Sequence, residues 1–102
     1  MLSLEDCIAL CGLTEAEVLA IAEHEHIPEI AASELGHYLV HTLDGELCIK
    51  SMICDDIAAA VSRGDRVREL ALKRVVRDFI VQHPRCDERR RQVLQNPERR
   101  QA

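Results

Sequence analysis

Residues 47–84, LCIKSMICDDIAAAVSRGDRVRELALKRVVRDFIVQHP, decide the fold. In the first half of this stretch Ile49, Met52, Ile53, Ile57, Ala60 and Val61 recur at spacings of three and four. That is the period of one side of an α-helix, not the alternation of a strand. Gly64 stops the run, and Asp65 caps a second one that carries Val67, Leu72, Val75, Val76, Phe79 and Ile80. Glu69 with Lys73 and Arg74 with Asp78 lie four apart on it, a spacing at which opposite charges meet on a helix surface. Pro84 ends it, because proline lacks the N–H that a helix interior needs.

The same reading extends toward the N-terminus. Ser3 with Asp6, and Thr14 with Glu17, match the pattern in which a hydroxyl and an acid three residues later satisfy the first free N–H groups of a helix. Gly12 separates the two segments. Pro28 suits the first turn of a third helix, where its missing N–H costs nothing, and Ile30, Ala31, Leu35 and Tyr38 give that helix an apolar face. Asp44-Gly45 reads as a turn between helices in preference to a hairpin. The expectation is an all-α fold, a compact bundle of five short helices at about 4–11, 14–25, 28–42, 47–62 and 66–83, with boundaries good to about 2–4 residues. Residues 1–84 form the helical bundle domain, and residues 85–102 a polar, basic, partly frayed C-terminal tail or short helix.

Composition agrees with helix-on-helix packing. Hydrophobic residues make up 47% of the 102 positions but aromatics only 2%, so the core is built from Leu, Ile, Val and Ala. Strands would draw on more aromatic and β-branched side chains. No apolar run approaches the roughly 18 residues of a membrane helix, and Glu5 and Asp6 stand where a signal peptide would carry lysine. Five cysteines, an odd number with no CxxC pair, read as reduced thiols and not as a secreted disulfide framework. Together these point to a cytoplasmic protein.

Charge is segregated along the chain. Residues 1–62 hold twelve acidic residues against one basic, whereas residues 63–102 hold twelve basic against six acidic. Opposite charge on the two parts offers complementary surfaces within or between chains. Arg63, Arg66, Arg68, Lys73, Arg74, Arg77 and Arg89-Arg90-Arg91 supply the positive part. Interleaved acids and the lack of a stacking platform place nucleic acid behind a protein partner.

One local cluster departs from a plain bundle. Glu34, His37 and His41 follow at spacings of three and four, so they share a helical stripe and form a candidate metal site for zinc or iron. Glu25, His24 and Asp56 are possible additional ligands. Cys7 and Cys11 share a face of the first helix and would complete a Cys₂His₂ set with His37 and His41, although small core residues are the simpler reading. On a helical projection Glu34 and His41 fall among Ile30, Ala31 and Tyr38, and Asp56 falls among Ile49, Met52 and Ile53. These three polar groups are therefore expected on the core side, where they need a partner or an ion. The alternative is that they pair with each other or with basic residues of the fifth helix. No phosphate-binding loop, nucleophile elbow or H-E-x-x-H motif occurs, so nothing identifies an enzyme. The leading expectation is a small helical protein-protein interaction module that forms a homo-oligomer. A transition-metal protein and a nucleic-acid-binding accessory protein are the alternatives.

Overall fold

Capping chemistry sets where the helices begin. In the computed structural model, which describes residues 3–87, Ser3 Oγ accepts from the Asp6 N–H at 3.1 Å and the Asp6 carboxylate accepts from the Ser3 N–H at 3.3 Å. Thr14 and Glu17 repeat this exchange at 3.2 and 2.9 Å. The two boxes open α1 (Leu4–Leu10) and α2 (Glu15–Glu25). α3 (Glu29–Leu39) follows Pro28, α4 (Leu43–Arg63) follows Thr42, and α5 (Arg66–Gln82) follows Asp65, whose carboxylate accepts from the Arg68 N–H. A single 3₁₀ turn, Pro84–Cys86, closes the series, and there is no strand among the described residues.

The fold is thus the expected all-α bundle of five helices, with one junction placed differently. The third helix ends at Leu39, and the fourth begins at Leu43, four residues before the expected start. Asp44-Gly45 is not a turn. It lies in the first turn of α4, where Thr42 Oγ1 accepts from the Gly45 N–H at 3.0 Å. Gly45 is there because the start of α4 presses on the end of α3: a Cβ at this position would stand 1.8 Å from the Leu39 carbonyl oxygen.

α4 and α5 form an antiparallel hairpin through Gly64, whose φ of 72° is left-handed and favours glycine. Among the described elements this pair makes the most extensive contact; α2 and α3 pack on each other and on α4, and α1 lies on α3. The core at their junction contains Val18, Ile21, Ala32, Ile49, Ile53, Leu72 and Phe79, each at most 1% exposed. Burying side chains of this size contributes about 1.5–3 kcal/mol apiece. Val61 and Val67, grouped with the apolar sides of their helices in the sequence, are 54% and 81% exposed on either side of the Gly64 turn; Val67 lies on the side of α5 away from Leu72 and Phe79.

After Pro84 the chain stays on the bundle as far as it is described. Cys86 is fully buried, and Arg85 reaches back to α4. The remainder of the expected tail, residues 88–102, lies outside the described residues. No helix among those described is long and apolar enough to cross a membrane.

Candidate functional site

The face of α3 that meets α2 and α4 is built from small residues. Ala32, Ser33 and Gly36 are buried, and a Cβ on Gly36 would stand 2.3 Å from Leu13 Cδ1 and 3.2 Å from Ile21 Cδ1. Neighbouring side chains fill that space, so the helix approaches closely there, with Leu35 and Leu39 half-buried against the core beside it. Glu34, His37, Tyr38 and His41 are all exposed, and Ile30 is 48% exposed with them. The grouping of Glu34 and His41 with Ile30 and Tyr38 on one stripe is correct. The direction is not, because the stripe faces solvent. Asp56 lies at the edge of the core and not within it.

A groove of about 230 Å³ runs between α1 and α3, lined by Cys7, Leu10, Cys11, Ser33, Glu34 and His37. Its walls are mostly apolar. Leu10 is 65% exposed on one side, and Tyr38, at 75%, stands on the other helix next to His37. Ser33 Oγ donates to the Ile30 carbonyl at 2.7 Å, and Cys11 Sγ is directed at the Ile8 carbonyl at 3.1 Å, so both floor groups are engaged within their own helices. The structure therefore brings Glu34 and His37 together with Cys7 and Cys11. His41 is held apart, with Nδ1 against the His37 carbonyl and its ring edge-on to that of His37 at 4.8 Å. Among the described residues no three His, Cys, Asp or Glu side chains are placed to hold a metal ion. No hydrogen bond joins Cys7 or Cys11 to His37 there either, so no thiol–imidazole pair is formed.

The other cluster residues serve the fold. His24 Nδ1 meets Glu25 at 2.9 Å and its Nε2 meets Asp55 of α4 at 3.3 Å. Partial burial acts against the charged imidazolium, but the two carboxylate bonds and the nearby Asp56 outweigh it and raise the His24 pKa above its ordinary value. Glu23 pairs with Arg68 across α2 and α5.

Three acids are buried: Glu17 and Glu69, which the sequence places in a cap and an ion pair without indicating their burial, and Glu46, which it does not single out. Glu17 is held by its capping box. Glu69 receives Lys73 at 2.7 Å, as its spacing predicts, and also Arg66 at 3.4 Å; the Lys73 bond lowers its pKa against the opposing effect of burial. Glu46 Oε2 binds Arg85 at 2.7 Å from Nε and 2.6 Å from Nη2, while Oε1 is buried without a partner. A signal for two of them existed. Glu46 leads the stripe of Ile49 and Ile53, and Glu69 leads that of Leu72, Val76 and Phe79, at spacings of three and four. Arg85, the partner of Glu46, is 39 positions away and has no such signature.

The fold and the groove together define a small all-α protein with an amphipathic surface between two of its helices. Comparison with protein-family models, with curated proteins and with solved structures finds no match.

Proposed function

We propose that this chain is a small helical interaction module that self-associates. The observation that carries the reading is the outer face of α3 and the adjoining groove, where Tyr38, Leu10 and Ile30 present large apolar side chains to solvent. Single exposed apolar residues are ordinary on a protein surface. A contiguous apolar patch rimmed by polar groups marks a contact surface. Aromatic residues are enriched in such surfaces, which suits Tyr38; Glu34 falls between Ile30 and Tyr38 on the same stripe and gives the patch a charged group for orientation. Two-fold dimers are the commonest soluble oligomers, so a second copy is the simplest partner.

Light scattering on the eluting peak of a size-exclusion column tests this. At micromolar concentration the expected mass is at least twice that of the 11.5 kDa chain. Leu10→Glu and Tyr38→Glu should each return it toward the monomer without loss of helical signal. A clean monomer throughout the micromolar range removes the reading.

A further inference from the structure

Among the described residues α5 carries a second face that no other element covers, opposite in character to the α1–α3 groove. Its inner side holds Leu72 and Phe79 in the core. Its outer side holds Val67, Leu70, Arg74, Arg77 and Val81, spaced three and four apart in the pattern of a helix-pairing seam. Val67, Leu70 and Val81 are 81%, 52% and 74% exposed. The stripe is thus apolar at both ends and doubly positive in the middle.

The intramolecular ion pairs leave that centre open. Glu69 takes Arg66 and Lys73, and Glu23 takes Arg68. Among the described residues no ion pair engages Arg74 or Arg77: the Arg74–Asp78 pair expected from their spacing is not formed, and Asp78 is exposed beside them. The groove has the complementary make-up. Glu34 lies at its wall beside Leu10 and Tyr38, and no lysine or arginine occurs before Lys50, so α1, α2 and α3 carry no fixed positive side chain. Lengths also correspond: at 1.5 Å per residue the α5 stripe from Val67 to Val81 runs about 21 Å, and the α3 stripe from Ile30 to His41 about 16 Å.

We infer that self-association seats the outer face of α5 of one copy on the α1–α3 groove of a second copy, with Arg74 and Arg77 against Glu34. This rests on the self-association reading above and adds its chemistry. Val67, Leu70 and Val81 meet Leu10, Ile30 and the groove wall. Tyr38 offers its ring face to a guanidinium, an arrangement arginine favours. Opposed charges in the middle of the contact set the partner and the register more than the bulk affinity.

Charge exchange between two variants tests the pairing. Arg74→Glu with Arg77→Glu in one chain, and Glu34→Lys in another, each set like charges against each other. Each variant alone is expected to raise the dissociation constant of self-association by at least about tenfold, because like-charge juxtaposition is strongly unfavourable. Mixing the two chains restores association, since every contact then joins opposite charges again. Val81→Asp, at the far end of the stripe, gives an independent disruption, and circular dichroism confirms that all variants stay helical. If the wild type associates and the charge variants associate equally well, this pairing is overturned while self-association stands. If the wild type is monomeric, both fall. If the monomer instead binds a 20-base-pair DNA or RNA duplex and loses it with Arg74→Glu and Arg77→Glu, the α5 face belongs to nucleic acid and the pairing is likewise overturned.

Discussion

Both ring nitrogens of His24 are held by carboxylates, which makes this residue a pH-dependent tie between α2 and α4. Its folded pKa is raised, so its contribution to stability is complete below the unfolded value of about 6.5 and fades as pH rises through the folded value. As pH rises from the unfolded value through the raised folded one, the wild type should lose stability relative to His24→Gln. Chemical denaturation at several pH values measures this, and a constant difference between the two proteins would exclude the effect. Glu69 behaves in the opposite sense. Its lowered pKa gives a contribution present above the unfolded carboxylate range and lost as pH falls through the folded value. The pair of Arg85 and Glu46 illustrates a different cost. Removing Arg85 leaves a carboxylate at 3% exposure with neither oxygen paired by a side chain, which is worse than replacing both partners. Arg85→Ala should therefore lower Tm well beyond Arg63→Ala on the exposed end of α4, and Glu46→Gln should recover part of the loss. Equal melting temperatures for Arg85→Ala and Arg63→Ala would count against that account.

Two glycines decide how the helices approach one another. A helical glycine replaced by alanine normally gains roughly 0.5–1 kcal/mol from reduced backbone freedom. Gly36 and Gly45 should both reverse that sign. At Gly36 the new methyl meets the ends of the Leu13 and Ile21 side chains, which can shift at the cost of overpacking, about 1–3 kcal/mol. At Gly45 it meets the Leu39 backbone, at 1.8 Å from the carbonyl oxygen and 2.6 Å from its carbon. No side-chain rotation relieves that contact, so α4 must move off the end of α3. Gly45→Ala should be the more damaging of the two by denaturant titration, and the order reversed would contradict this packing. The same contacts explain why Asp44-Gly45 resembles a turn. Glycine beside an acid is common in turns and equally suits a capped first turn pressed against a neighbour, and only the neighbour distinguishes them.

At the level of the whole molecule, the self-association proposed above would tie stability to protein concentration. A native oligomer is favoured by mass action, so Tm should rise with protein concentration and the rise should shrink in high salt, which screens pairs between exposed charges. Differential scanning over a hundredfold concentration range measures this; a Tm independent of both variables argues against a charge-assisted oligomer. The positions of the helices were largely legible before any tertiary contact was known, because caps and stops act within four residues: Ser3 with Asp6, Thr14 with Glu17, Gly64 with Asp65, and Pro84 all act as their local chemistry dictates. So was the membership of the α3 stripe, since helical spacing alone places Glu34 and His41 with Ile30 and Tyr38. Which way that stripe faces was decided only by the fold. Leu13 and Ile21 fill the space beside Gly36, so Ala32, Ser33 and Gly36 turn inward with Leu35 and Leu39 beside them, while Glu34, His37, Tyr38 and His41 face solvent. The pairing of Glu46 with Arg85 was equally out of reach, because burial creates its need for a partner and a contact spanning 39 residues supplies one.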